Sequence, residues 1–323
     1  MPDNFGRMKT MSEVKKFVYP PTGVEHRGKI IDSKDGFDVI ECETCGFKHI
    51  IPIPSKEQLD TFYSNKFYEQ ERKIDYFERQ KSQLNWWNQI FIQRCNLFEK
   101  ILNRKGKILD IGCGPGFFLK QAQVLGWQGI GIDPSKKASD YAVNNLKLDV
   151  INCSLDAIDI ESKELKEVDV VYANGVLEHM IEPKLFFKFG YDLLKNNGIL
   201  FFSVANDYNP FQKILKKYKN FPSWWLVPPE HINYFDVNSA QSITERHGFE
   251  VVSLKTTFPI DIFLLMGDDY VSEPDLGKLC HQKRVNFEDL LHGSGNDGLL
   301  NNIYDSFMRL GLGRDIEVAA IRR

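Results

Sequence analysis

No stretch of this 323-residue chain approaches the ~20 consecutive apolar residues that a membrane helix needs. The N-terminal run MPDNFGRMKTMSEVKKF also lacks the apolar core of a signal peptide, so a cytoplasmic protein is expected. Cysteine is scarce. Six residues spread over this length make no disulfide framework and read as reduced thiols. An excess of positive charge is missing too. The formal net charge is −3, which argues against a broad nucleic-acid surface and leaves room only for a local patch. No internal repeat and no low-complexity tract is visible. What remains is ordinary globular composition, 42% hydrophobic and 26% charged, enough for one elaborated domain or two modest ones.

From residue 105 onward, strands and helices alternate. KILDIG, WQGIGID, DVINCS, VDVVYAN and GILFFSVAN read as strands; FFLKQAQVLG, SKKASDYAVNN and EPKLFFKFGYDLL read as helices. Repeated βα units with nearly all-apolar strands predict an α/β fold, a parallel sheet covered on both faces. Residues 1–55 are polar and irregular, with two short strands expected around a Cys42-x-x-Cys45 turn closed by Pro52 and Pro54. Residues 56–104 read as a helical lid, with Ser55 as its N-cap. The core spans 105–256 and contains an insertion at 207–235. It continues through the helix VNSAQSITERHG and the strand FEVVSLKTT. A helical insertion at 257–312 precedes a last strand, RDIEVAAIRR, within 313–323.

Residues 108–119, ILDIGCGPGFFL, form a strand, a glycine-rich loop and a helix start. Such a loop holds the polar part of a cofactor over the strand end. A dinucleotide, S-adenosylmethionine and a ligand-free tight turn compete. The dinucleotide fingerprint needs a third glycine where Phe117 stands. Pro115 has no N–H for a pyrophosphate. Asp110 puts a carboxylate beside the loop, which repels a pyrophosphate and attracts an α-amino group. Asp133 ends the second strand, 21 positions after Gly112, where a carboxylate can accept both ribose hydroxyls. That acid suits either cofactor; the loop favours S-adenosylmethionine.

On ILDIGCGPG, GIDPS, NCSLDAID and VVYANGVLEHMIEP, in that order and spacing, the chain resembles the class I S-adenosylmethionine-dependent methyltransferases. Within them it is similar to sugar and small-molecule methyltransferases with an N-terminal Cys-x-x-Cys segment. The resemblance covers roughly residues 60–255 and the final strand. It implies a Rossmann-like seven-stranded sheet whose last strand is antiparallel and inserted beside the sixth. It also implies cofactor contacts: Asp110, Gly112, Gly114 and Gly116 on the methionine and ribose, Asp133 on the ribose hydroxyls and Pro134 at the adenine. Ser154 and Leu155 would lie beside the adenine and Asn174 under the sulfonium. For Cys113 and Ser154 the plain alternatives are a small loop filler and a strand end. In LDTFYSNKFYEQ, Tyr63 and Tyr68 resemble the tyrosines of a lid that closes over cofactor or substrate; packing on the next helix is the alternative.

Methyl transfer needs an acceptor held in line, water excluded and a proton taken up. In PPEHINYF, the Glu230–His231 pair resembles the pair that deoxysugar C-methyltransferases place near the transferred methyl. His231 is the first candidate for general base; packing by Tyr234 and Phe235 is its structural alternative. His179, in LEHM beside Glu178, is the second. Small-RNA 2′-O-methyltransferases bind a divalent metal here through Glu-x-x-Glu-His, but Gly175 stands where the first Glu would be. In FQKILKKYKNFPSWWLV, lysines 213, 216, 217 and 219 with Tyr218, Trp224 and Trp225 could meet a phosphate and stack on a sugar or base. A solvated lysine face on an amphipathic helix explains the same residues. His281, in the second insertion, is not taken as catalytic; its segment could be a lid or homodimer element.

Cys42-x-x-Cys45 is half of a zinc ribbon. The second pair found in deoxysugar C-methyltransferases is missing. His26 and His49 could complete four ligands, but their spacing is not diagnostic. The reading kept is a metal-free knuckle, with Cys42 and Cys45 as candidate zinc ligands. The resulting expectation is a methyltransferase acting on a hydroxyl of a sugar or nucleotide-linked sugar. C-methylation, a nucleic-acid acceptor and a non-catalytic S-adenosylmethionine-binding partner are the alternatives. ANGV at 173–176 lacks the Asn/Asp-Pro-Pro-aromatic of base-amino methylases, which counts against nucleic acid. No membrane partner is expected.

Overall fold

The strands divide into two sheets. A computed structural model describes residues 13–62, 78, 80–158 and 165–323, so Tyr63 and Tyr68 lie outside the described residues. The N-terminal sheet holds β1 (Val14–Tyr19), β2 (Val24–Lys34), β3 (Phe37–Cys42) and β4 (Lys48–Ile51), all antiparallel. A two-residue strand from far downstream, β10 (Asn233–Tyr234), pairs with β4 at its edge. The two strands expected around the cysteine turn are therefore part of a five-stranded sheet. One signal was on the page: β2 and β3 are joined by Asp35-Gly36, at φ 52° and 83°. An Asp-Gly pair with positive φ at both residues is the hairpin turn that matches strand twist. Elsewhere alternation is weak, because β4 is buried at all four positions while β1 is mostly exposed.

The larger sheet holds β5 (Lys107–Ile111), β6 (Gln128–Ile132), β7 (Asp149–Ile151), β8 (Val168–Asn174), β9 (Leu194–Ala205), β11 (Phe249–Thr256) and β12 (Asp315–Arg322). Its order is β11-β12-β9-β8-β5-β6-β7. β12 runs antiparallel to both neighbours, whereas the pairs among β5 to β9 are parallel. This is the α/β sheet expected, with its last strand beside the sixth. Strand β7 is shorter than DVINCS suggested, and β9 starts four residues before GILFFSVAN.

Ten helices complete the described residues: α1 (Lys56–Phe62), α2 (Leu84–Leu102), α3 (Phe117–Val124), α4 (Lys136–Leu146), α5 (Lys184–Leu193), α6 (Pro210–Lys219), α7 (Val237–Arg246), α8 (Ile262–Met266), α9 (Pro274–Gly293) and α10 (Asp297–Arg309). Polar caps start several of them. Ser55 Oγ accepts from Gln58 N–H while Gln58 Oε1 accepts from Ser55 N–H, closing a capping box before α1. Asp236 closes a second capping box with Ser239 before α7, and Asn209 Oδ1 accepts from Gln212 N–H at the start of α6.

β8 shows why the sheet is central. Val168 through Ala173 are all buried, as a strand covered on both faces must be. Successive β9 residues serve opposite cores: Phe202 packs with Phe186 and Phe187, Phe201 with Phe98 and Tyr172. Each buried ring contributes about 1.5–3 kcal/mol. That makes β8 and β9 the firm floor on which the loops at their carboxyl ends stand.

Candidate active site

The loop after β5 is shaped by three glycines in the left-handed region: Gly112 at φ 71°, Gly114 at 54° and Gly116 at 82°. Two of them are crowded as well. A Cβ on Gly112 would lie 2.6 Å from Val176 Cγ2, and one on Gly116 would lie 2.5 Å from Leu148 Cδ1. Gly114 faces open space, so a ligand can approach its backbone. The loop is fastened to the end of β6. Asp133 Oδ2 accepts from Gly114 N–H and Oδ1 from Ser135 N–H, each at 2.8 Å. Pro134 follows in the turn, with Asp133 O held by Ser139 Oγ and Asn152 Nδ2. Asp110 is buried at the end of β5. Burial and the nearby Asp133 carboxylate push its pKa well up, against the pull of Arg94. Two acids so placed call for a ligand cation, as an α-amino group provides.

Arg94 on α2 reaches the same region from the other face. It is 5% exposed and donates to Tyr172 Oη, to Asn174 Oδ1 at 3.0 Å and to Glu317 Oε1 at 2.5 Å. Asn174, at the end of β8, is thereby fixed in place. Ser154 and Leu155, half-buried, begin a short turn whose Asp156 pairs with Lys56 of α1 at 2.5 Å.

The second half of the site follows β8. The turn Leu177–His179 starts at Val176, the residue that crowds Gly112. His179 Nδ1 donates to Glu230 O at 2.8 Å, which leaves its lone pair on Nε2. The His179 and His231 rings meet edge to face at 4.8 Å. Ile232 N–H donates to Glu178 O, so loop 228–235 is strapped to the β8 turn. His231 Nδ1 is buried without a partner among the described residues. Burial, with His179 and Arg314 adding to it, pushes this imidazole down to about 3, so it is neutral at pH 7. Glu178 Oε2 is likewise buried and unpartnered among the described residues, and burial raises that carboxyl. Donor loop and acceptor loop therefore share one hinge of chain, residues 174–179.

A model of the methyltransferase domain matches residues 85–254, more than half of the chain and all of this site up to loop 228–235. The chain belongs to the methyltransferase domain family. A ubiquinone biosynthesis O-methyltransferase of Bradyrhizobium diazoefficiens is 30% identical over 172 residues, spanning 48% of this chain and 67% of that one. Its counterpart in Coxiella burnetii is 32% identical over 134 residues, 38% of this chain and 57% of the other. The chain thus spans little more than half the length of several curated relatives it matches. Magnesium protoporphyrin IX methyltransferase of Synechocystis, solved with S-adenosylhomocysteine, superposes with a TM-score of 0.50 at 14% identity, over 83% of this chain and all of that one. S-adenosylmethionine is the donor that this methyltransferase's loop fits, through the open approach at Gly114, the fastened Asp133 and the buried acid Asp110.

Other expected contacts fall elsewhere. Trp225 is in the core with Tyr208 and Tyr234, so it has no face free for a ligand. The α6 lysines sit on the exposed face; Lys216 pairs with Asp32 and Lys217 lies over the Tyr218 ring. His281 packs edge to face on Trp86 of α2. Arg94 and Glu178 were missed or underrated. Arg94 had a signal: Phe91, Arg94, Cys95 and Phe98 follow the helical stripe, so a charge sits at a core position of α2. Glu178 had none beyond its place next to His179. Among the described residues no helix is long and apolar enough to cross a membrane.

Proposed function

We propose that this protein transfers the methyl group of S-adenosylmethionine to a hydroxyl of a small-molecule acceptor, a sugar or nucleotide-linked sugar first, in the cytoplasm. The observation that carries the reading is the junction at residues 174–179. There the cofactor loop touches Val176, and the paired imidazoles His179 and His231 begin one turn later. The bound cofactor supplies an activated methyl on its sulfonium. Gly114 admits it, Asp133 takes the ribose hydroxyls, and Asp110 faces the amino group. Pro134, Ser154 and Leu155 border the adenine, and Asn174, held by Arg94, lies under the sulfonium.

On the acceptor side, His231 is the group that takes up the hydroxyl proton, as a neutral imidazole. His179, locked by the Glu230 carbonyl, sets the ring's position. An imidazole pushed down to about 3 accepts a hydrogen bond readily but holds a full proton poorly. The proton it takes therefore passes on to solvent as the product leaves, and the nearby Glu178 carboxyl is raised by burial. The Glu230–His231 pair and the N-terminal Cys-x-x-Cys sheet support a sugar acceptor. The relatives' printed name supports O- over C-methylation and offers a ubiquinone precursor as second acceptor. Turnover with S-adenosylmethionine over parallel panels of nucleotide sugars and phenolic ubiquinone precursors tests both. Methylation in the first panel alone supports the sugar reading, in the second alone overturns it, and in neither removes the hydroxyl-transfer proposal.

A further inference from the structure

Four donor side chains outside the candidate active site converge in the N-terminal sheet. They are His26 on β2, Cys42 at the end of β3, Cys45 in the following turn and His49 on β4. Their donor atoms all lie within 4.8 Å of one another. His26 Nδ1 stands 3.2 Å from His49 Nε2, 3.4 Å from Cys45 Sγ and 3.7 Å from Cys42 Sγ. A tetrahedral zinc with Zn–N near 2.05 Å and Zn–S near 2.3 Å sets its ligands about 3.3 Å apart for N···N and about 3.5 Å for N···S. The three measured separations match those edges to about 0.2 Å. A hydrogen bond accounts for one such contact on a single ring nitrogen. It does not account for three heavy donors crowding the same lone pair.

The surroundings fit deprotonated ligands. His49 Nδ1 donates to Ile50 O at 2.9 Å, which leaves the lone pair on Nε2, the nitrogen facing His26. Cys45 N–H points at Cys42 Sγ at 3.4 Å, and Gly46 N–H closes the turn on Cys42 O at 2.9 Å. Gly46 adopts φ 77°, which a side chain would resist. The Arg246 guanidinium donates to Cys45 O and brings positive charge beside the turn. His26, Cys42 and His49 are buried and Cys45 half-buried, yet all six cysteines are free thiols rather than disulfides. A cavity of about 270 Å³, bordered by His26, Cys45 and His49, gives a metal a route in.

We propose that His26, Cys42, Cys45 and His49 bind a structural zinc ion. All four tetrahedral positions come from the chain, so no position is open for chemistry. The ion cross-links β2, the β3–β4 turn and β4. It also braces the acceptor loop. His49 is the register partner of Asn233 on β10, and Asn233 Nδ2 donates to Leu177 O and Met180 O of the β8 turn.

The test uses the full chain purified without chelator from zinc-supplemented culture. Elemental analysis should find one zinc per chain, and cobalt exchanged into the stripped protein should show thiolate charge-transfer and tetrahedral ligand-field absorption. Cys42→Ser with Cys45→Ser should lose both. Since a variant that fails to fold would lose metal for another reason, Cys45→His is measured beside it. That variant keeps four donors, so it should retain the ion with roughly half the thiolate absorption. Zinc far below one per chain together with no cobalt spectrum on titration overturns the site, as does a cobalt spectrum unchanged by the double serine substitution.

Discussion

Gly114 donates its backbone N–H to Asp133 Oδ2 at 2.8 Å, and this bond ties the glycine loop after β5 to the end of β6. Asp133 thus shapes the loop before any cofactor arrives. Asp133→Ala should weaken S-adenosylmethionine binding at least tenfold, about 1.4 kcal/mol, by calorimetry. An unchanged affinity would remove the cofactor site from this loop.

Arg94 and Glu317 form a pair with little water around it, at 5% and 18% side-chain exposure. Breaking such a pair costs more than deleting it. Arg94→Met alone should lower urea stability by about 3 kcal/mol, the low end for a buried pair because Glu317 keeps some solvent. Arg94→Met with Glu317→Met should recover more than half of that loss. A double variant as unstable as the single one contradicts the pairing.

His231→Gln should reduce turnover by about 10²-fold or more with little change in cofactor affinity. Full activity removes His231 as the proton acceptor.

The same residue makes a prediction about stability. In the folded chain His231 is neutral down to about pH 3, while in the unfolded chain it takes a proton near 6.5. The unfolded state therefore binds more protons between those values, and stability falls as pH drops through that window. The slope from this residue is at most about 1.4 kcal/mol per pH unit. Urea titrations of wild type and His231→Gln between pH 4 and 7, roughly spanning that window, should diverge by this slope; parallel curves refute the burial of a neutral ring.

A Cβ on Gly106 would sit 2.2 Å from Asp169 Oδ2. Asp169 is buried and clamped by Arg104, Lys195 and the Lys107 N–H. Burial raises its pKa, but those partners outweigh it and hold the carboxyl below its usual range. Its contribution is present above the ordinary value near 4 and lost as pH falls further. Gly106→Ala should cost about 1–3 kcal/mol at pH 7, and less at pH 3, by chemical denaturation. A cost unchanged at pH 3 would show that the carboxylate is not what the methyl displaces.

The parallel sheet was legible because its strands are buried on both faces and therefore apolar throughout, as VDVVYAN is. The N-terminal sheet was only half legible. One of its strands, β10, comes from some 180 residues downstream and carries just two residues, too few for any periodicity. Trp225 looked like a stacking platform because composition cannot tell a core indole from an exposed one. Arg94 went unnoticed although its position in the α2 stripe marked it as buried.

By itself the sequence determined the donor loop. Phe117 in place of a third glycine, Pro115 without an N–H and Asp110 at the strand end are local chemistry, and local chemistry survives without coordinates. Tertiary structure alone decided which distant groups meet. His179 finds Glu230 and His231 across about fifty residues, Arg94 finds Glu317 across more than two hundred, and His26 and His49 close on Cys42 and Cys45. Such meetings depend on strand order and register, which a chain acquires only when its two sheets are packed.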